Sequence, residues 1–397
     1  MVGVAVGEIR SRLENKNQKE NLTMDSSKKT LVPLVIVVLV ALVVGLFYAL
    51  VFTQPAAQLS FDQGDLKNQQ KYHWRMVTTW PKNFPGLGMA GENFARWINE
   101  ASNGRIEVTV YGANELVPAL GVFDAVSSGS VELGHGAAYY WKGKIPAAPF
   151  FTSVPFGMNA QEMNGWLHYG NGGALWREAY APFNIVPFAG GNTGVQMAGW
   201  FNKEINSLAD IQGLKMRIPG LGGEVFTRAG GVAVNIPGNE LYTSLQTGVI
   251  DATEWVGPYN DLAFGFHQVA KYYYYPGWHE PGPTLELLIN KTALESLPDD
   301  LQKLVQVTAR AVNQDMLDEY TARNNRAMNE LVNKHGVKLR RLPDDVLQKL
   351  KAISVQMYAE QSANDPFFAK VYADYESFLN QAQQYHKISE EAYYQSR

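Results

Sequence analysis

Three charged residues stand where short apolar runs end. Glu254 follows Gly248-Val-Ile-Asp-Ala-Thr and precedes Trp255 and a Gly257-Pro258 turn; Arg217 lies in Leu214-Lys-Met-Arg-Ile-Pro219; Glu280 follows Trp278-His279. A guanidinium at a strand end can grip a carboxylate through two parallel hydrogen bonds, although a solvated surface arginine leaves the same pattern. Glu254, Glu280 and Gln196 (in Val-Gln-Met-Ala-Gly-Trp) offer oxygen donors of the kind that hold a hard cation such as Ca²⁺ or Na⁺. They are single residues scattered along the chain, so spacing alone does not mark a metal site. His279, beside Glu280, is a candidate base and equally a structural histidine. Gly220-Leu-Gly-Gly-Glu224 opens a helix, whose N-terminus attracts anions, but such turns are mostly structural.

The rest of the sequence argues against familiar catalysis. Gly-x-Ser-x-Gly, His-Glu-x-x-His, a Walker loop and a Gly-x-Gly-x-x-Gly directly after a strand are all missing. With no cysteine there is no thiol nucleophile, disulfide or thiolate zinc site. A net charge of −4 without a basic tract excludes nucleic acid as a natural partner. The 397 residues suffice for two domains, and 46% apolar content gives them a core. The aromatics, 20 Tyr, 18 Phe and 9 Trp, serve either that core or a ligand-facing wall.

These candidate residues need elements to hold them. Strands are expected at His73–Thr79, Arg105–Tyr111, Val131–Leu133, Gly194–Phe201, Leu214–Ile218, Val232–Ile236, Tyr272–Tyr275 and Leu285–Asn290. Helices between them indicate parallel βαβ units. Pro146 to Pro187 reads as one long segment without a clear element. Beyond Pro298 the chain becomes helical, with one or two long helices to Lys334, another from Asp344 and a last one over Asp365–Tyr385. Ala125-Val-Ser-Ser-Gly-Ser-Val-Glu132 echoes Ser244-Leu-Gln-Thr-Gly-Val-Ile-Asp251. Each reads as helix end, glycine, buried strand, acid, which suggests two similar lobes with a cleft that closes about a hinge.

At the N-terminus, Leu31–Phe52 is uncharged and preceded by Lys28 and Lys29. That places residues 1–30 on the cytoplasmic side, and 31–52 as a signal or membrane anchor that exports the remainder of the chain. Met24 offers an alternative start, leaving 1–23 outside the protein. The polar stretch 53–71 reads as a linker.

Three motifs carry a family resemblance: Asn192-Thr-Gly-Val-Gln196, Met216-Arg-Ile-Pro-Gly-Leu-Gly-Gly-Glu-Val225 and Gly248-Val-Ile-Asp-Ala-Thr-Glu-Trp-Val-Gly-Pro-Tyr259. Over roughly residues 72 to 385 the chain resembles the extracytoplasmic solute-binding subunits of TRAP transporters. Tyr139-Tyr-Trp-Lys-Gly-Lys144 and Tyr273-Tyr-Tyr-Pro-Gly-Trp-His-Glu-Pro281 are similar to the branch that binds 2-oxo and 2-hydroxy monocarboxylates such as pyruvate or lactate. The resemblance implies an α/β, two-lobed periplasmic binding protein fold with a hinge and long C-terminal helices. Lobe I would comprise 72–193 and 283–318, lobe II 194–282, and 319–397 the helices that pair subunits into a homodimer. It further implies that Arg217 pairs with the substrate carboxylate, and that Gln196, Glu254, Glu280 and the Trp255 carbonyl hold Na⁺ or Ca²⁺ against it. Tyr139, Tyr140 and Trp80 would touch the ligand from lobe I. The partners would be a small monocarboxylate and the TRAP membrane permease, and the location periplasmic. The competing reading is a secreted or anchored metal-dependent lyase or hydrolase acting on an organic acid, with His279 as base.

Overall fold

The computed structural model describes residues 26–52 and 70–397. These belong to two units, 1–69 and 70–397. In the first, Ser26–Phe52 forms one helix, α1, whose described side chains, 35–48, are all exposed. Among the described residues no helix is long and apolar enough to cross a membrane. The expected anchor or signal at 31–52 is therefore helical without a described span. The expected tail 1–30 and linker 53–71 lie almost wholly outside the described residues.

The second unit contains, in chain order, β1 (Tyr72–Thr78), β2 (Ile106–Tyr111), β3 (Leu133–Gly136), β4 (Ile185–Asn192), β5 (Gly199–Phe201), β6 (Lys215–Arg217), β7 (Val232–Val234), β8 (Ala252–Thr253), β9 (Tyr272–Tyr275), β10 (Thr284–Asn290) and β11 (Lys338–Arg341). They form two sheets, one lobe each, in the orders β2-β1-β3-β10-β4 and β11-β9-β5-β8-β6-β7. The chain leaves the first sheet after β4 and returns to it at β10.

Both sheets are mixed, which corrects the parallel expectation. β10 runs antiparallel to β3 and β4, and β5 antiparallel to β8 and β9. Each lies beside a crossing segment, so the chain enters the sheet from the opposite end. β4 was not foreseen: Ile-Val-Pro-Phe-Ala-Gly-Gly-Asn carries Pro187 and two glycines. It occupies the sheet edge, where a proline costs no ladder hydrogen bond. Conversely, the strand expected over 194–201 is confined to 199–201. Gln196 N–H donates to Glu280 O, Met197 N–H to Val256 O and Ala198 N–H to Tyr274 O, three different segments and no common ladder.

The internal echo is structural. Helix α3 (Val122–Ser127) ends at Gly129 and α7 (Leu241–Gln246) at Gly248, both at φ 74°. Each glycine takes the left-handed turn that lets the chain enter the next strand. The acid stands immediately before that strand, not after it as the sequence suggested, and accepts from the backbone of the neighbouring strand: Glu132 from Arg75 N–H (2.7 Å) and Asp251 from Lys215 N–H (3.0 Å).

Helix α10 (Asp299–Asn333) binds the lobes together. Leu301, Val305, Val312, Met316, Tyr320, Ala327 and Leu331 bury one stripe at helical spacing. The helix packs on β4, on α2 (Leu87–Ala101) of the first lobe and on α8 (Pro258–Phe264) of the second. Tyr320 OH donates to Asn260 Oδ1 at 2.5 Å, and Asn260 Nδ2 donates to Pro85 O at 2.8 Å, so α8 is tied to both α10 and the first lobe. Helices α11 (Asp344–Asn364) and α12 (Pro366–His386) come next. They pack Tyr358, Phe368, Tyr372 and Tyr375 around Phe150. β11, hidden between helices, extends the second sheet in parallel to β9.

Candidate binding site

In open α/β sheets the groups that meet ligands stand beyond the carboxyl ends of parallel strands. Here both sheets offer such ends to one place. Trp80 follows β1 and Tyr139-Tyr140 follow β3 in the first lobe; Arg217 ends β6 and Glu254-Trp255 follow β8 in the second. Gln196 and Glu280 come from the two crossing segments, joined by the Gln196 N–H to Glu280 carbonyl bond of 3.2 Å. A Cβ at Gly277 would overlap the Gln196 carbonyl oxygen, so the segments meet this closely only because residue 277 has no side chain.

Arg217 is 1% exposed. Its Nη1 donates to the Glu254 carboxylate and, at 3.2 Å, to the Glu254 carbonyl. Nε donates to Ile236 O at 3.1 Å and Nη2 to the Tyr140 hydroxyl at 3.2 Å. The guanidinium lies 5.2 Å from the Trp255 ring centroid. Burial is the largest single influence and opposes its charge, but Glu254, Tyr140, Tyr139 and Glu280 together outweigh it and hold Arg217 above its ordinary value. Tyr140 thus reaches across from the first lobe to a cation of the second.

The acceptors around this arginine are only half used. Glu254, Glu280 and Gln196 are all buried, and one oxygen of each (Glu254 Oε2, Glu280 Oε2, Gln196 Oε1) has no hydrogen-bond partner. Both ring nitrogens of buried His279 also lack partners; Nε2 stands 3.4 Å from Glu254 Oε2 without bonding it. Donor atoms of Glu254, His279 and Glu280 all fall within 4.8 Å of one another. Desolvation and the neighbouring Glu254 push the Glu280 carboxyl well above its usual range. Buried acceptors left unpaired cost free energy, and so do two adjacent buried carboxyls. A cation relieves both costs, and carboxylate and amide oxygens suit Na⁺ or Ca²⁺. The residues present fit such an ion.

Aromatic rings close the remaining sides. Trp80 lies 6.4 Å from Trp255 and 6.3 Å from Tyr140, and Tyr139 stands 4.8 Å from Tyr140, centroid to centroid. The Trp255 indole N–H is buried and unpaired. A groove of about 330 Å³, bordered by Tyr139, Tyr140, Pro219 and Gly220, adjoins the arginine. Every residue singled out in the sequence therefore occupies one locality. The Gly-rich stretch 220–224 forms the start of α6 (Gly220–Arg228) and borders the groove.

Two supporting residues escaped the sequence reading. Asp261 accepts from Trp200 Nε1 (3.0 Å), Tyr273 OH (2.6 Å) and Val256 N–H (3.3 Å), which fixes the turn carrying Glu254 and Trp255. Burial pushes its carboxyl up to about 7. His135 Nδ1 accepts from Trp80 Nε1 at 2.7 Å, which leaves Nε2–H to donate to Gly190 O at 3.0 Å. Burial holds this imidazole neutral, with its pKa lowered to about 4. Both look in sequence like ordinary core polar residues; only their partners reveal the role.

The family description "bacterial extracellular solute-binding protein, family 7" (DctP) matches residues 76–365. The chain belongs to this family. It is 44% identical over 320 residues, 81% of this chain and 87% of the relative, to a monocarboxylate 2-oxoacid-binding periplasmic protein of Nostoc sp. (strain PCC 7120). Among solved structures, a TRAP periplasmic solute-binding protein of Pseudoalteromonas atlantica with bound sodium and pyruvate superposes with a TM-score of 0.81 at 44% identity, covering 83% of this chain and 100% of that one. A TRAP solute-binding protein of Bordetella bronchiseptica, a mixed-occupancy dimer with copurified calcium and picolinate, gives 0.81 at 36% identity, covering 83% and 97%. As a DctP protein the chain is an extracellular binding receptor by family, and its two mixed sheets and long C-terminal helices are that fold.

Proposed function

We propose that this DctP protein captures a small 2-oxo or 2-hydroxy monocarboxylate of the pyruvate class together with Na⁺ or Ca²⁺, and delivers it to TRAP permease subunits in the membrane. The observation that carries this reading is a buried arginine set against unpaired acceptor oxygens of Gln196, Glu254 and Glu280. Arg217 orients the acid's carboxylate; Tyr139, Tyr140, Trp80 and Trp255 wall it off from water, which strengthens every charge interaction inside. A cation held by Gln196, Glu254, Glu280 and the Trp255 carbonyl would supply positive charge to the carboxylate and its neighbouring oxygen at once.

The arginine's present bonds suggest why acid and cation belong together. Arg217 Nη1 is engaged by Glu254. For a bidentate grip on a ligand, the Glu254 carboxylate must turn from Arg217 towards a cation, which frees Nη1. Without a cation, Glu254 competes with the acid for the same guanidinium.

In this reading 72–193 and 283–318 form lobe I and 194–282 lobe II, with the hinge in the crossing segments. The protein resides in the periplasm, with 31–52 as signal or tether. The C-terminal helices 319–397 pair two copies; Tyr385, Ile388, Tyr393 and Tyr394 there are 60–77% exposed. The rival, a metal-dependent enzyme, draws on His279, whose free nitrogens face Glu254. Incubation with pyruvate separates the two. Saturable quenching of tryptophan fluorescence with pyruvate unconsumed supports the receptor; turnover refutes it.

A further inference from the structure

A second concavity, of about 170 Å³, lies away from the Arg217 cleft, between α4 (Ala160–Tyr169), α5 (Gly172–Tyr180), the edge strand β4 and the N-terminal half of α10. Lys303, Gln306 and Arg310 line it at helical spacing, so they share one face of α10; Arg177 of α5 and His168 of α4 stand opposite. No acidic side chain lines it among the described residues. This is unusual in a chain with more acids than bases, 38 against 34. Several surface cations elsewhere are neutralised, among them Arg105 by Asp300, Arg228 by Glu224 and Glu360, and Lys370 by Glu178. Here Lys303 reaches only Gln306 (3.0 Å), and Arg310 only the ring of Tyr169 (5.5 Å).

The interior of the pit is also unsatisfied. His168 Nε2 is shielded from solvent and makes no hydrogen bond. The indole N–H of Trp176, a residue 2% exposed, is directed to the neighbourhood of the buried Tyr180 hydroxyl. Burial and Arg310 lower the basicity of His168, as expected of an imidazole held beside an unneutralised cation. Several donors and uncompensated positive charges around one small concavity are the complement of a compact, multiply charged acceptor.

We propose that this pit is a binding site for a small oxyanion of the phosphate class, independent of the Arg217 cleft. Arg177, Lys303 and Arg310 supply the charge, and His168 the deeper donor.

The test is calorimetric titration of inorganic phosphate into the full chain, with saturating pyruvate and Na⁺ present so that the cleft is occupied. The expected result is saturable uptake that weakens at least tenfold in R177Q/R310Q, a pair of exposed positions whose replacement leaves the melting temperature unchanged, and that persists in R217K. Absence of saturable uptake, equal affinity in R177Q/R310Q, or loss in R217K overturns the proposal. A parallel arm adds vesicles of phosphatidic acid or of phosphatidylcholine. Competition by the first alone supports a lipid headgroup as the natural source of the anion; competition by neither supports a free one.

Discussion

Arg217 and Glu254 hold each other at the centre of the cleft, both essentially inaccessible to solvent. Removing one partner of a buried pair leaves the other uncompensated, a loss of roughly 3–5 kcal/mol. Arg217→Ala should therefore weaken pyruvate binding at least a hundredfold and also lower the melting temperature; near-normal affinity in a titration would defeat the assignment. Glu254→Gln keeps the shape but removes the carboxylate. It should weaken cation binding first and acid binding second, read by titrating each with the other absent and present. An equal loss in both titrations would contradict the division of labour. At this scale the sequence was informative because chemistry-bearing residues sat at strand ends: Arg217, Glu254 and Gln196 were legible as soon as β6, β8 and the stretch before β5 were. Asp261 and His135 were not, because a buried carboxylate on a helix and a buried imidazole in a strand acquire meaning only from Val256 and Trp80, which are brought to them by the fold.

The elements that carry these residues are held by close approaches and buried polar ties. Gly277 lets the two crossing segments touch. Gly277→Ala should part Gln196 from Glu280, lowering cation affinity at least tenfold while the circular dichroism spectrum stays native; unchanged cation affinity would show that the segments do not position the donors. Within the first lobe, buried Glu286 on β10 accepts from Tyr180 OH at 2.8 Å and from the Trp141 indole, anchoring the turn that bears Tyr139 and Tyr140. Burial raises its carboxyl to about 8 from an ordinary 4.5. Between those values the unfolded chain gives up this proton and the folded chain keeps it, so its contribution to stability falls as pH rises from about 4.5 to about 8. Glu286→Gln should flatten that slope. The variant should match the wild type near pH 5 and exceed it by up to a few kcal/mol near pH 9 in urea unfolding; parallel pH profiles would refute the role. Element by element, the reading failed where local pattern and tertiary partner disagree. β4 hides behind Pro187 and two glycines because it is an edge strand backed by α10. β11 hides between helices because its partner, β9, lies some sixty residues earlier. The helices of 160–180 were missed inside a stretch whose glycines, Gly170 to Gly173, mark only the break between them.

On the scale of the whole molecule, two lobes of matching construction face each other, and the repeat that betrayed them, Ser128–Glu132 against Thr247–Asp251, proved to be the same glycine turn and the same acid-to-backbone bond in both. Tyr140 crosses to Arg217, and Trp80 to Trp255, so the groups proposed to line the ligand are also lobe-to-lobe contacts. Capture should therefore accompany closure: small-angle scattering should give a smaller radius of gyration with pyruvate and cation than with neither, and an unchanged radius would remove the hinge from the account. The architecture was readable from the repeat, whereas the cation was not, since Gln196, Glu254 and Glu280 come from separate segments and converge only in the folded chain. The central claim is that one site takes an acid and a cation together. Calorimetric titration of chelator-stripped protein with pyruvate, in sodium-free buffer and again with Na⁺ or Ca²⁺ restored, tests it most directly. The account predicts binding at least tenfold tighter with the cation; equal affinity in both buffers would contradict it.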